Sequence, residues 1–414
     1  MLETNENPYL TLSLGALSCL VLATLLVATP KGSVLRYAPF PFMIWITTRF
    51  ARVDMHPNYA MRCVVSNFVV LNLQAARLLL IHPLDNDDIG RALALPQTFL
   101  IRVYHALKIL LCTRAIGTPW QVKNVPSYPA YYNRRGMEMP LRPRFLARQL
   151  LILTWQYLFL DLVNTAMLFN PPQNTPLLTE PGLLGINWTK AAEKGISNSL
   201  GWMIVARVQI DFHDRLATTL LVLLGVDAPS AFRPSYGRLG DAYTLRNFWG
   251  KYWHQYFREP FSTFGCFLAR NVLRLPRPSR LERYTNLFFV FFASGVMHLV
   301  IDHYAGVQES GAMPFFCAFA PGIMIEDAIQ ELWRRTRGYP ESEISSPWRK
   351  AVGFLWVILW LGATSSWYVD PLLQTAKPPP VVPFGLRSQI PLPVLGSVLL
   401  AGGVGLKLVF EVEV

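Results

Sequence analysis

Charge is scarce in this chain. Asp, Glu, Lys and Arg make up 15% of its 414 residues, where a soluble domain carries about a quarter. The hydrophobic set reaches 52%. The shortage excludes an ordinary soluble domain and points to a polytopic membrane protein. Cysteine is sparse too. Cys19, Cys63, Cys112, Cys266 and Cys317 form no CxxC pair and mostly lie in apolar stretches. That excludes a disulfide framework, and no metal-ligand spacing is present. The chain has no internal repeat and no low-complexity tail. It also lacks basic residues ahead of its first apolar run, Tyr9–Ala28, where Glu3 and Glu6 stand instead. That run is as long as a full span, so it is expected as a transmembrane helix and not as a signal peptide.

What is present is a series of apolar segments. Spans are expected at Tyr9–Ala28, Cys63–Ile81, Leu146–Leu168, Leu200–Phe212, Thr285–Ile301, Pro314–Ile329, Val352–Trp367 and Pro391–Phe410. Tyr37–Thr48 and Phe99–Cys112 are weaker candidates, and the short Leu216–Val226 reads as re-entrant or interfacial. The expected fold is an all-α polytopic membrane protein of about eight or nine transmembrane helices, with interfacial helices around a buried reaction chamber. It forms one multispan domain over residues 1–414. The Pro-rich run Lys377–Pro383 is a loop.

Lys and Arg exceed Asp and Glu by 38 to 26, a net charge of +12. The excess sits in loops between the spans, which argues against nucleic-acid binding and for basic loops on the cytoplasmic side. Arg114–Arg148, Asp227–Arg283 and Arg334–Lys350 are all basic, while Pro171–Ile196 is balanced and His303–Met313 has no Lys or Arg. With the basic loops in the cytoplasm, the N-terminus and Pro171–Ile196 fall on the opposite side. The sequon at Asn187 then lies where a glycan can be added.

Within Phe288–Ile301, FFVFFASGVMHLVI, one residue stands out. His298 is a titratable imidazole inside an apolar run, and such residues usually face a cavity and carry chemistry. Ser294, His298, Ile301 and Ala305 share a helical face. Asp302, four residues on, can orient the imidazole or stabilise its protonated form. Ser294-Gly295 offers a small surface to another helix or a substrate. Packing by hydrogen bonding to a neighbouring helix is the plainer reading of His298.

Upstream, Asn247–Gln255 reads NFWGKYWHQ. As a helix along the membrane surface it would place Trp249, Trp253 and Tyr256 on one stripe and Asn247, Lys251, His254 and Arg258 on the other. Two readings fit: an aromatic belt with a snorkelling Lys251, or a polar face presenting Asn247 and His254 to a buried site. Further intramembrane polar residues are Asp161, Asn164, Arg207, Asp211 and Glu326. Structural pairing is expected for each, with Arg207 and Asp211 as an i, i+4 ion pair, and Glu326 is the first to consider for a role in the site.

FWGKYWHQ, followed about forty residues later by FFASGVMHLV, resembles the wax-synthase-like branch of the membrane-bound O-acyltransferases. The resemblance covers roughly Arg233–Arg335. Arg114-Ala115-Ile116-Gly117 with Trp120 is similar to an Arg-Gly-x-Gly-Trp element of that branch. Phe315-Phe316, Gly322 and Glu326-Asp327 resemble the stretch that follows its histidine. Two departures stand out. Leu299 occupies a position that is commonly acidic, and His254 stands where plant members have Asn.

The resemblance implies transfer of an acyl group from a coenzyme A thioester to a hydroxyl, with His298 as the family's histidine. As general base it would take the alcohol's proton. His254 or Asn247 would donate to the oxyanion, with Asp302, Ser294, Trp253 and Glu326 in support. Lys251, Arg258 and Arg246 would meet the phosphates of acyl-CoA, the co-substrate. FWGKYWHQ looks like fungal members of secondary-metabolite pathways. That implies acetyl-CoA as donor and a lipophilic terpenoid or meroterpenoid alcohol as acceptor, with other pathway enzymes as possible partners. The setting is the lipid bilayer, expected to be that of the endoplasmic reticulum. The alternative enzyme is a long-chain acyl-CoA:fatty alcohol ester (wax) synthase. A proton-coupled transporter using Asp161, Arg207, Asp211, His298 and Asp302 is the alternative of another class. It predicts an internal symmetry the sequence lacks.

Overall fold

The computed structural model describes residues 7–52, 59–94, 98–133, 141–169, 188–304, 306–337, 346–374 and 392–410. Asn187, Ala305 and the Lys377–Pro383 run lie outside them. The regular elements of the described residues are helical. In order they are α1 (Pro8–Ala28), α2 (Pro39–Arg52), α3 (Tyr59–Ala76), α4 (Asn86–Leu93), α5 (Phe99–Leu111), α6 (Ala130–Asn133), α7 (Arg142–Phe169) and α8 (Trp188–Leu223). Then follow α9 (Leu245–Asn247), α10 (Arg258–Phe267), α11 (Arg280–Tyr304), α12 (Ala312–Cys317), α13 (Phe319–Arg337), α14 (Pro347–Leu373) and α15 (Leu392–Phe410).

Five helical stretches among the described residues are long and apolar enough to cross a membrane: Tyr9–Ala28, Arg142–Asn164, Arg280–His303, Ala312–Thr336 and Pro347–Leu373. A sixth is formed if Ser66–Ile81 and Asn86–Leu93, bent by 99°, make one broken span. The sequence reading of about eight or nine spans also included shorter apolar runs. Of these, Leu200–Phe212 lies inside α8, and most of the run read as re-entrant or interfacial, Leu216–Val226, continues the same helix to Leu223, with Gly225 at φ +73 just beyond its end. Arg207, Asp211, Asp214 and Arg215 crowd one stretch of α8, which is not among these spanning helices.

The helices form two compact units, residues 1–123 with 255–324, and residues 124–254 with 325–414. In the first, α1 packs on α5 and α2, and α11 packs on α10 and α12. Leu22, Leu26, Met43, Leu78, Ile89 and Leu110 belong to one buried apolar cluster in it. Asn7 caps α1 by accepting from the Tyr9 and Leu10 amides at 3.0 and 3.3 Å, with Pro8 at the first helical position.

Arg36 holds the ends of this unit together. It is fully buried, yet its guanidinium donates to Thr29 Oγ1 (3.0 Å), Thr29 O (2.7 Å), Leu84 O (2.9 Å) and Leu79 O (3.4 Å). These carbonyls lie where α1 stops and where the chain bends between α3 and α4. Arginine suits the task because its fork presents five donors and stays charged.

In the second unit, α8 packs on α14 and α7, and α15 on α7. Small residues let α8 and α14 approach. A Cβ on Gly362 would come within 2.8 Å of Ile196, and Ser199 donates to Leu361 O at 2.9 Å beside its contact with Ser365.

One expected pairing is corrected. Asp211 bonds Arg215 (2.5 Å) and Gln156 (2.7 Å), whereas the Arg207 guanidinium lies over Tyr236 and Tyr252 at 5.3 and 5.6 Å. Both arginines are four residues from Asp211, but an acid N-terminal to its base is the better helical orientation. Among the described residues, Cys19, Cys112, Cys266 and Cys317 form no disulfide.

Replacing Arg36 with Lys keeps the charge but cannot serve three separated carbonyl groups. The variant is expected to lose about 2 kcal/mol of stability, read as a lower melting temperature of the detergent-solubilised protein. An unchanged melting temperature would show that Arg36 does not hold these ends.

Candidate functional site

His298 sits in the second half of α11, half-buried. Its Nδ1 is 2.8 Å from the carbonyl oxygen of Ser294, one turn earlier. A carbonyl only accepts, so Nδ1 is the donor and the lone pair of the neutral ring lies on Nε2. Phe316 of α12 stacks on the imidazole, with centroids 4.2 Å apart and planes at 29°.

The sequence shows how α12 gets so close. A Cβ on Gly295 would fall 2.9 Å from Met313 Sδ and 3.5 Å from Ala312 O, so the small Ser294-Gly295 surface is where α12 docks. Asp302 sets the connection from the other side. Its carboxylate accepts from Ser310 Oγ at 2.5 Å, and that hydroxyl accepts from the Ala312 amide at 3.2 Å. The bond on Nδ1 thus comes from Ser294, and Asp302 anchors the turn that leads into the helix carrying Phe316. Leu299 is 39% exposed on the outside of α11.

The segment around Asn247 belongs to the second unit. Its helix start is held by three acceptors. Thr244 Oγ1 accepts from the Asn247 amide at 2.9 Å, while the Glu326 carboxylate accepts from the amides of Leu245 (3.1 Å) and Arg246 (3.3 Å). These are the amides that a helix N-terminus leaves without intrahelical partners. Arg246 in turn pairs with Asp327 at 2.6 Å. Glu326 is therefore a clamp on the backbone of the motif, and Asp327 binds the side chain beside it.

The expected continuous helix is not what forms. Phe248–Tyr252 is a π-helical turn, closed by the Trp253 amide on Phe248 O at 2.7 Å, and Trp253 is extended. The stripes drawn with a period of 3.6 residues therefore do not hold beyond Tyr252. The wider turn lets four rings pack at once. Phe248 stacks on Trp253 at 5.7 Å, Tyr252 lies 5.4 Å from Phe248, and Trp253 meets Tyr236 edge-on at 5.4 Å. Trp202 of α8 also stacks on Trp253, at 6.4 Å. His254 lies edge-on to Tyr236 at 5.9 Å. The Gly237 amide donates to Tyr252 O at 2.9 Å, an approach that leaves no room for a Cβ.

Of the three basic residues expected to meet coenzyme A, Lys251 is exposed and Arg246 is engaged by Asp327. Arg258 opens α10 in the first unit and donates to Lys123 O at 3.2 Å. Burial draws its guanidinium below the ordinary arginine value, and Glu259 acts in the opposite direction.

The Arg114–Trp120 element is a tight turn. Ala115 and Gly117 have φ of +47 and +75, and buried Arg114 lies over Tyr256 at 5.2 Å. Sequence reasoning missed the role of Phe316 as the ring against His298, although Phe315-Phe316 and Gly295 were its signals. Among the described residues no group of three or more His, Cys, Asp or Glu side chains could hold a metal ion.

The family model described as membrane bound O-acyl transferase matches residues 232–318, which include both motifs. The chain is 41% identical to the acetyltransferase pyr8 of Aspergillus fumigatus, over 92% of each protein. It is 34% identical to the acetyltransferase atnC of Arthrinium sp, over 96% of this chain and 95% of that one. It is 32% identical to the acetyltransferase TRI7 of Fusarium sporotrichioides, over 96% and 94%. No solved structure matches the chain. The paired motifs, the helical multi-pass architecture and relatives of this identity along nearly the whole length lead to one assignment: the chain belongs to the membrane-bound O-acyltransferase family and is an integral membrane acyltransferase.

Proposed function

We propose that this protein moves an acetyl group from acetyl-CoA to the hydroxyl of a lipophilic, terpenoid-type alcohol in the endoplasmic reticulum membrane. Its similarity to proteins named acetyltransferases along nearly its whole length supports the acyl group. The observation that carries the mechanism is the bond between His298 Nδ1 and the Ser294 carbonyl. It makes Nε2 the basic nitrogen of a neutral imidazole.

In this mechanism the alcohol O–H gives its proton to Nε2 as the oxygen attacks the thioester carbonyl carbon. The carbonyl π electrons move to oxygen, and Asn247 or His254 is assigned as donor to that oxyanion. When the intermediate collapses, the C–S bond breaks and the proton passes from Nε2 to the thiolate. The products are the acetate ester and coenzyme A, and His298 is neutral again. Phe316 holds the ring plane, and Asp302 acts through the turn that positions Phe316. Glu326 acts one step removed, by fixing the backbone on which Asn247 stands.

His298→Ala is expected to lower kcat by about 10²- to 10⁴-fold, the usual contribution of a general base, with labelled acetyl-CoA and a terpenoid alcohol in microsomes. Full activity in a well-folded variant would remove His298 as the base. Exclusive use of palmitoyl-CoA by the wild type would replace acetyl transfer with wax-ester synthesis.

Glu326→Ala is expected to lower kcat by at least about tenfold, because a shift of about 1 Å in a positioning element is enough for a loss of this size or larger. Glu326→Gln retains an acceptor oxygen and should recover part of the rate. Equal loss in both variants would show that the carboxylate does more than hold amides.

A further inference from the structure

The bend after α3 opens a cavity of 1120 Å³ inside the first unit. Its walls come from the π-helical turn Arg77–Ile81, from α4, from the segment that follows the Arg114 turn, and from the start of α10. Lys31, Arg77, Arg91, Lys123 and Arg258 line it, against the carboxylates of Asp88 and Glu259. Asp88 is already shared between Lys31 (2.8 Å) and Arg91 (3.5 Å). The cavity is thus strongly cationic, and Trp120 lies on the same wall.

Arg77 is the informative residue. It is only 5% exposed, its ion pair with Glu259 is long at 3.4 Å, and its contact with Gln74 is 3.3 Å. Its buried Nε has no hydrogen-bond partner among the described residues. A buried guanidinium is stable only when its charge and donors are matched. Here the match is incomplete, and an anion in the cavity would complete it. Guanidinium groups with an indole nearby suit a phosphorylated purine, the first for the phosphates and the second for the base. The volume lies just above the usual range for small-molecule sites, about 300–1,000 Å³.

The cavity is also connected to the reacting histidine through shared helices. Val70 of α3, Phe261 of α10 and Met297 of α11, the neighbour of His298, form one buried cluster. Arg77 lies seven residues beyond Val70, about 10 Å along a helix. Arg258 and Ser262 reach the cavity from the same α10 that supplies Phe261. A nucleotide in the cavity would leave its pantetheine arm free to run along α3 and α10 toward the level of His298.

We propose that this cavity binds the phosphoadenosine diphosphate end of the acyl-CoA, with Arg77, Lys123 and Arg258 on the phosphates and Trp120 against the adenine. The proposal rests on the acyl-CoA reading above and adds residues from the first 123 positions, outside the two segments around Asn247 and His298. Phosphate chemistry would also suit a phospholipid headgroup, and the test separates the two.

The test measures CoA binding to the purified full-length protein in phosphatidylcholine nanodiscs, for the wild type, Lys123→Glu, Arg77→Gln and His298→Ala. Lys123 is exposed, so its reversal does not threaten folding. Binding is expected to weaken by about tenfold or more in Lys123→Glu, as for loss of a charge-assisted phosphate contact. It should weaken in Arg77→Gln, and 3′-dephospho-CoA should bind the wild type less tightly than CoA. His298→Ala should bind CoA like the wild type. An unchanged Kd in folded Lys123→Glu overturns the proposal. So does loss of co-purifying phosphatidylinositol from that variant with CoA binding intact, which would make the cavity a lipid site. Lys123-dependent CoA binding by a protein that transfers no acyl group would sink the acetyl-transfer reading and keep the cavity. Acetyl transfer with an unaltered KM for acetyl-CoA in both cavity variants would do the reverse.

Discussion

Backbone satisfaction is the constraint on which this structure turns. In an apolar slab no water pairs the amides and carbonyls that a helix break exposes, so side chains must do it. Several polar residues of this protein are used in that way. Arg36 meets the carbonyls of Thr29, Leu79 and Leu84, and Glu326 meets the amides of Leu245 and Arg246. Gln74 donates to Ile109 O at 3.1 Å, Arg102 to Asn86 O at 2.9 Å and Trp155 to Leu399 O at 2.8 Å. Each of these contacts reaches the backbone of another helix or a helix end. The same side chains that satisfy stranded backbone groups therefore also tie the helices to one another.

The packing around His298 follows the same economy. The imidazole uses one nitrogen to occupy a carbonyl of its own helix, and that ordinary helix-surface contact determines which nitrogen remains basic. Phe316 covers one face of the ring because Gly295 has no side chain to keep α12 away. No acid next to the histidine is required for this arrangement. Leu299 can stay apolar on the outer surface of α11, while Asp302, four residues on, serves the turn into α12.

Much of this was legible in the sequence, and the limits have physical causes. Apolar runs of span length located α1, α7, α11 and α14, because burial in lipid demands about twenty apolar residues in a row. His298 stood out since charge is costly there, and Ser294-Gly295 was readable as a docking surface. The π-helical turn at Phe248–Tyr252 was not legible. Periodicity assumes 3.6 residues per turn, and the departure comes from rings of Tyr236 and Trp202 that are distant in sequence. The partner of Asp211 was misassigned because two arginines are equally spaced from it, and only their order along the helix separates them. Glu326 was marked as unusual, but its acceptor role toward amides some eighty residues earlier left no local trace.

The way the chain threads between its two units bears on biosynthesis. The first unit is built from residues 1–123 and 255–324, so α1 to α5 are translated long before α10 to α12. Until then Arg77 has no Glu259, and Val70 has no Phe261 or Met297 to pack on. The contacts of the early helices to later ones cannot form until the first part of the second unit has been translated. Arg36 is different, since its acceptors at Thr29, Leu79 and Leu84 are all supplied by the first 84 residues. All the partners of its guanidinium are therefore translated well before the helix that carries His298.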